Sequence, residues 1–591
     1  MSSPQSSGRF SRFLEALETW IRKRLPMEMG WPHTLWFLLT FLFLVQASTG
    51  IILWMFYSPS TQTAWESVFY LQHKVPGGWL IRGIHYWSAE CMVVVAALLV
   101  MLGVWFKVCS ERVIRDHYLA LCLAMITLAL AMTGYLLPWD QHGYWSAKIR
   151  THLMGLTPII GSSLERLMLG GESMGHLTLT RFLAFHAGLL PVLFWIVLRL
   201  RSKSIASTSH STLCGSHRPY WPRQAWSDTL YAGLLGWGIL ILAWQPWSDT
   251  LDVSLRGAPL SAPVDPSAPY PSARPEWYFL FLFQFLKYFP GNLEIVGAIL
   301  IPSLILSWLV VLPWLGKGSV LWRTRQPILA ALAGGIIWLS FQAIQEDRRN
   351  ETYQLARSQA KTVSLRAREL AMSMEGIPTG GALTLLQEDA KTQGPRLFAA
   401  HCASCHRFQG HDGLGNPLQD PPSASDLSGF GSRAWITGLL NPQQIQSPQY
   451  FGGTAFIEGE MTRFTQRKIG HFDQNQEAAL RDVINILSAE AGLPSQQNLE
   501  GDQAQWRSLD RDELFYEIGC TECHPFHFED DELQAPDLTG YGSRVWLISF
   551  IGEPESSRFY GEQNDRMPSY RTEDILTEKE IGLIVDWLRM Q

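Results

Sequence analysis

Charge is scarce in this sequence. Asp, Glu, Lys and Arg make up 17% of its 591 residues, against about 25% in an average soluble protein. With aromatics at 12%, including 25 tryptophans, the chain as a whole is neither intrinsically disordered nor a coiled coil. The N-terminal stretch lacks the apolar core of a secretory signal peptide. Cysteine is sparse and uneven: Cys91, Cys109, Cys122 and Cys214 are scattered, while Cys402, Cys405, Cys520 and Cys523 form two close pairs. The length corresponds to about four units of roughly 150 residues. A mean hydropathy of +0.02 averages two opposite compositions. Long apolar runs fill the chain up to Ile344, and a polar, mixed-charge sequence follows from Gln345. A membrane part followed by a soluble part is expected.

Seven apolar runs approach the ~20 residues needed to cross a bilayer as a helix. They are Leu35–Tyr57, Leu80–Val108, Tyr118–Leu137, Phe182–Leu200, Leu230–Trp244, Leu293–Leu315 and Ile328–Ile344. Before them Phe10, Phe13, Leu14, Leu17, Trp20 and Ile21 recur at helical spacing beside Arg12, Arg22, Lys23 and Arg24. That pattern predicts an amphipathic helix lying on the membrane surface within residues 1–30. Basic residues collect in the N-terminus and in the loops holding Lys107/Arg112/Arg115, Arg201/Lys203/Arg218/Arg223 and Lys317/Arg323/Arg325. Those segments are expected in the cytoplasm, which puts the C-terminal half on the opposite, positive (p) side.

The class is all-α. Residues 346–392, rich in Arg, Glu, Gln and Ala, read as a linking helix. An internal repeat then appears: Asp426-Leu-Ser-Gly-Phe-Gly-Ser-Arg-Ala-Trp-Ile436 echoes Asp537-Leu-Thr-Gly-Tyr-Gly-Ser-Arg-Val-Trp-Leu547. Two duplicated soluble domains, 393–492 and 503–591, are expected.

Each repeat follows one cysteine pair. Cys402-Ala-Ser-Cys405-His406 and Cys520-Thr-Glu-Cys523-His524 both fit C-x-x-C-H, in which two thiols add to the haem vinyl groups and the adjacent imidazole ligates iron. A disulfide, a zinc knuckle and a thioredoxin-like pair are the competing readings; two copies that each keep the histidine argue against all three. The sixth ligand in such domains is often a methionine, whose thioether raises the potential. Met461 and Met567 stand at corresponding places, with Met567-Pro568 nearer the usual Met-Pro than Met461-Thr462; core packing is the alternative for both. Both stretches resemble class I cytochrome c domains, which acquire haem on the p side.

In the membrane part His85 and His186 sit early in the second and fourth runs. One membrane histidine usually hydrogen-bonds between helices, but two at matching depth suit a haem. Gly50 and Gly134, on the first and third runs, leave room for a flat macrocycle. Gly78-Trp-Leu-Ile-Arg82, Leu44-Val-Gln-Ala-Ser-Thr-Gly50, Thr133-Gly-Tyr-Leu-Leu-Pro-Trp-Asp140 and Pro275-Glu276-Trp277-Tyr278 resemble cytochrome b of the quinol–cytochrome c oxidoreductase (bc) complexes. The resemblance spans about residues 25–345. Seven runs and the stretch Gln141-His-Gly-Tyr-Trp-Ser-Ala-Lys148 favour the shorter form of the plastoquinol branch.

The resemblance implies a four-span haem bundle over 31–215 and a three-span quinol-site module over 216–345. It implies Glu276 as acceptor of a quinol proton, Tyr278 lining the same site, and Arg82 pairing with a haem propionate. Quinol is the implied substrate. A separate Rieske iron–sulfur subunit, a soluble or membrane electron acceptor and a homodimeric complex are the implied partners, with no nucleic acid. The implied place is a bacterial inner membrane with the cytochrome c domains in the periplasm. Glu90, an intramembrane acid, either moves protons or hydrogen-bonds a neighbouring helix.

The family carries a second haem b about fourteen residues, or roughly 21 Å of helix, from the first. Here the corresponding positions hold Leu99, Leu200 or Arg201, Trp36 and Ala120. One p-side haem b and two haems c are therefore expected, without the second b haem. The position of the cysteine that carries an extra haem in the plastoquinol branch is Thr34. Two alternatives stay open: a relocated haem between His33 and His117, which restores a cross-membrane route, or a non-enzymatic membrane-anchored electron relay.

Overall fold

The computed structural model describes residues 24–26, 30–105, 111–207, 217–244, 256–315, 319–496, 511–528, 535–561, 564 and 566–590. Nearly all of the surface helix expected within 1–30 lies outside these residues, as do Cys109 and Cys214. Two three-residue strands, β1 (Arg24–Pro26) and β2 (His217–Pro219), pair antiparallel. The remaining regular structure is helical, so the chain is all-α in class. Seven helices are long and apolar enough to cross a membrane, and they coincide with the seven apolar runs. The chain is a multi-pass membrane protein.

The first compact unit covers residues 1–383. Its first two spans are α1 (Gly30–Trp54) and α3 (Gly78–Trp105), joined through α2 (Ala64–His73); the third is α4 (Glu111–Gly134). After α5 (Gln141–Gly155) the fourth span is composite: α6 (His176–Leu183), a π-helical turn over Ala184–Leu189, and α7 (Leu190–Ser207). Then come α8 (Arg223–Trp244), the short α9 (Leu280–Leu286), α10 (Ile301–Val311) and α11 (Arg325–Arg349), followed by the polar α12 (Glu351–Met372). Helices apolar on all sides suit lipid on one face and neighbours on the other. Ile51, Trp54, Trp195, Trp237, Leu304 and Trp338 accordingly remain exposed on the protein. α1 packs on α3, α3 on α4 and α4 on α7, while α8 covers α1 and α3.

The loop after α4 is fixed by one side chain. Asp140 Oδ1 accepts from the Gly143 amide at 2.8 Å, capping α5, and its Oδ2 accepts from the Ser261 amide at 2.9 Å. This ties the Pro138-Trp-Asp140 turn to the segment leading to Pro275. Arg274 in turn makes a forked pair with Asp347 of α11, at 2.8 Å from Nη2, so Pro275–Tyr278 is held from both sides.

The second unit covers residues 384–591. It contains α13 (Ala390–His401), α14 (Arg433–Leu439), α15 (Glu460–Arg467), α16 (Gln474–Ala491), α17 (Arg511–Ile518), α18 (Arg544–Gly552) and α19 (Glu578–Arg589). Asp473 and Thr577 form capping boxes on α16 and α19, each cap contributing about 1 kcal/mol. The two repeats share one core. α14 packs on α16 and α18 on α19 within a repeat, but α13 packs on α19 and α16 on α17 between repeats. Phe398 and Phe408 of the first copy both meet Trp587 of the second, at 5.4 and 4.4 Å between ring centres.

Candidate functional site

His85 on α3 and His186 in the π turn face each other across the bundle, their rings 6.2 Å apart and 71° from coplanar. An iron held by two imidazole nitrogens at ~2.0–2.1 Å each leaves ring centres on the order of 6 Å apart, so the spacing fits. The other nitrogens are engaged. His85 Nδ1 lies 2.9 Å from Thr49 Oγ1, and His186 Nδ1 lies 3.0 Å from the Leu130 carbonyl and 3.2 Å from Thr133 Oγ1. Such bonds fix the tautomer and leave Nε2 for a metal. A methyl group added at Gly134 would stand 2.7 Å from the His186 ring, and one at Gly50 3.2 Å from His85. The two glycines keep the space beside both rings clear. Arg82 is buried, donating to Gln72 of α2 and to the carbonyls of Ala258 (2.8 Å) and Pro259 (2.7 Å).

Four turns deeper, side chains fill the bundle. Trp36, Leu99 and Ala120 are 2–3% exposed and belong to one cluster with Leu39, Leu42, Leu123, Phe194 and Val197. The Arg201 guanidinium stacks on the Trp36 ring at 4.1 Å; Leu200 points outward. His33 and His117 turn to different neighbours: His33 Nδ1 is 3.0 Å from Asp228 Oδ2 on α8, and His117 Nε2 is 3.0 Å from the Leu309 carbonyl on α10. Thr34 Oγ1 donates to the same Asp228 at 2.7 Å.

Around Pro275–Tyr278 polar groups converge. Glu276, 8% exposed, has Oε1 3.2 Å from His142 Nε2 of α5. Burial disfavours the His142 imidazolium, but the hydrogen bond and charge of Glu276 more than compensate and raise its pKa. Trp277 Nε1 donates to Glu90 Oε2 at 2.6 Å, and the Tyr135 hydroxyl donates to Glu90 Oε1. Of the two readings of Glu90, hydrogen bonding to neighbours is the one observed. It fastens the Pro275–Tyr278 segment and Tyr135 to the helix that carries His85. Burial raises the pKa of Tyr278. Arg150 of α5 has Glu276, Tyr278 and Tyr135 as charge neighbours, and its Nη1 and Nη2 are buried with no hydrogen-bond partner among the described residues.

In the second unit Cys402, Cys405, Cys520 and Cys523 form no disulfide with one another. His406 Nδ1 lies 2.8 Å from the Ser425 carbonyl and His524 Nδ1 2.8 Å from that of Pro536, so each Nε2 is again spare. Among the described residues no three His, Cys, Asp or Glu side chains converge as a zinc site requires. Met461 and Met567 are half-buried against the shared core.

Sequence reasoning overlooked His142, Arg150 and Tyr135 as members of the Glu276 cluster, and it left the partners of Glu90 open. His142 stands inside the stretch Gln141–Lys148, two residues after the capping Asp140, and a titratable residue at a helix start was the available signal. The π turn that aims His186 left no mark in the sequence pattern; such turns are frequent at functional sites.

Residues 21–205 match the family model "Cytochrome b/b6/petB", and residues 263–346 match "Cytochrome b(C-terminal)/b6/petD". Cytochrome b6 of Synechococcus elongatus is 43% identical over 152 residues, covering 25% of this chain and 69% of that protein. Cytochrome b6 of Prochlorococcus marinus (strain MIT 9515) is 42% identical over 153 residues, covering 25% and 68%. A solved structure described as "Hyperthermophilic respiratory Complex III" aligns with a TM-score of 0.45 at 19% identity, over 62% of this chain and 96% of that one. With its facing histidines, its glycine clearances and its likeness to the two family models and to cytochrome b6, the chain belongs to the cytochrome b/b6 family of haem-binding, multi-pass membrane proteins of quinol-linked electron transport.

Proposed function

We propose that the chain is the cytochrome b subunit of a bc-type complex fused to its own cytochrome c acceptors, and that it oxidises membrane quinol beside Pro275–Tyr278. The observation that carries this is the buried Glu276–His142 pair, fixed between the Asp140 turn and the Arg274–Asp347 pair and linked through Glu90 to the His85 helix. Quinol oxidation releases two protons and two electrons. A buried carboxylate within reach of the substrate hydroxyls takes each proton in turn. It passes to His142 Nε2, regenerating the carboxylate, and the imidazolium releases it to the p-side water that its one-third exposed side chain reaches. Tyr278 walls the site, and the spare Arg150 donors face substrate oxygen.

His85 and His186 hold one haem b, between Gly50 and Gly134, with Arg82 near a propionate. Cys402, Cys405 and His406, and Cys520, Cys523 and His524, hold two haems c. When bound, the haems supply one-electron acceptor and donor sites. A Rieske subunit supplies the high-potential acceptor, the complex is a homodimer, and the soluble unit lies in the periplasm of a bacterial inner membrane. Close packing of Trp36, Leu99, Ala120 and Arg201 supports the absence of a second haem b, so both electrons leave on the p side or one goes to another subunit. Pyridine haemochrome analysis of the purified chain is expected to give one haem b for two haems c; two haems b would overturn the single-haem reading.

The His142 step has a pH signature. Proton acceptance needs neutral imidazole, so turnover is full above the His142 pKa and is lost as pH falls through it. Because Glu276 raises that pKa, the acid limb of kcat lies above the ordinary histidine value of ~6.5. His142→Leu removes this limb. A pH profile unchanged by His142→Leu would eliminate the step.

A further inference from the structure

We infer that the two c-type haems exchange their sixth ligands: Met567 of the second repeat ligates the iron held by Cys402, Cys405 and His406, and Met461 of the first repeat ligates the iron held by Cys520, Cys523 and His524. This rests on covalent haem attachment at both C-x-x-C-H motifs.

The helix leading into each motif packs on the last helix of the other repeat. α13 ends at His401, immediately before Cys402, and crosses α19 so closely that Gly394 lies against Trp587, with the Leu583 carbonyl 3.0 Å from where a methyl group would stand. Lys579 of α19 pairs with Glu388 at 2.7 Å. The reciprocal pairing joins α16 to α17, where Arg511 Nη1 is 3.3 Å from Glu490 Oε1. Glu490 Oε2 also accepts from the Gly540 amide at 3.0 Å, inside the second copy of the repeated motif.

The methionine segments follow the helices. Tyr570 donates its hydroxyl at 2.7 Å to the carbonyl of His401, the residue immediately before Cys402, and Cys402 and Cys405 are its charge neighbours. Met567 is three residues away, at most about 10 Å of extended chain. On the other side Met461 and Thr465 lie at i and i+4 of α15 and so share a face, and Lys468 caps the C-terminus of that helix. Lys468 Nζ pairs with Glu522 Oε1 at 2.8 Å, between the two cysteines of the second motif, and its side chain lies against Gly519. Glu460, adjacent to Met461, is a charge neighbour of Cys523. The proximal histidines, in contrast, stay with their own repeats through Ser425 and Pro536. Each iron would therefore be held by one ligand from each repeat, as each hydrophobic contact surface is.

The test uses the full chain in detergent. In a Cys402→Ala/Cys405→Ala variant one haem c remains, at Cys520 and Cys523, beside haem b. Adding Met461→His is expected to abolish its methionine–iron charge-transfer band and lower its potential, while adding Met567→His leaves both unchanged. The opposite pattern would overturn the exchange. Since loss of one haem can compromise the shared core, the unaltered two-haem chain provides a second readout. With methyl-labelled methionine in the reduced state, the ring-current-shifted Met567 methyl is expected to show nuclear Overhauser contacts to the haem whose thioether bridges are Cys402 and Cys405. Contacts to the Cys520/Cys523 haem would refute the assignment. Haem-free peptides from both motifs in a protease digest would instead refute covalent attachment itself.

Discussion

Leucine in place of His186 is expected to remove haem b while both haems c stay in place, so that the haemochrome spectrum of the purified chain loses its b component. No other described side chain stands opposite His85 at the 6.2 Å separation that a two-imidazole iron site needs. His186 is also tied by its Nδ1 to Leu130 and Thr133, so leucine forfeits both the iron bond and the orientation. Leucine is helix-compatible and apolar, and the bundle should still assemble. A second variant separates ligation from room. Gly134→Leu keeps both histidines but drives a branched side chain into the His186 ring, which a methyl alone would already approach to 2.7 Å, and it too should lose haem b. Retention of full b absorbance in both variants would exclude the His85–His186 site.

Glu276→Gln is expected to lower quinol turnover by about 10²–10⁴-fold, the range over which general base catalysis contributes. The amide keeps the shape of the side chain and can still accept a hydrogen bond, so KM should change far less than kcat. Haem content should not change. Loss of the carboxylate also removes the group that favours the His142 imidazolium, so the acid limb attributed to His142 falls to lower pH in whatever turnover remains. Quinol oxidation kept within tenfold of the unaltered chain would remove Glu276 from the reaction and leave the non-enzymatic relay as the better description.

Several of these features were legible because they are local. Seven apolar runs report the spans directly, since lipid selects composition over about 20 consecutive residues. Cys402–His406 and Cys520–His524 are contiguous, and Gly50 and Gly134 advertise clearance by lacking a side chain. The substitutions Trp36 and Ala120 were readable by counting helical turns, and in the fold Trp36 meets Arg201, one of the two residues on which the same count lands. What was not legible depends on partners far apart in sequence. Glu90 finds Trp277 across 187 residues and Glu276 finds His142 across 134. His33 suggested a ligand by depth, and its bond to Asp228, 195 residues away, could not be read from the sequence. The repeat likewise announced two similar halves without saying which helices would meet; Gly394 against Trp587, with Phe398 and Phe408 on the same tryptophan, joins α13 to α19.

That pairing bears on how the soluble unit is made. α13 waits for α19, nearly 190 residues later in the chain, so its contact surface stays open until α19 has been made. Closure over such separations is slow. On the proposed haem attachment, both cysteine pairs stay within reach of that chemistry during the interval, because neither half completes itself early. Deleting one repeat would for the same reason strand the other with α13 or α17 uncovered. The two repeats thus fold only as a pair.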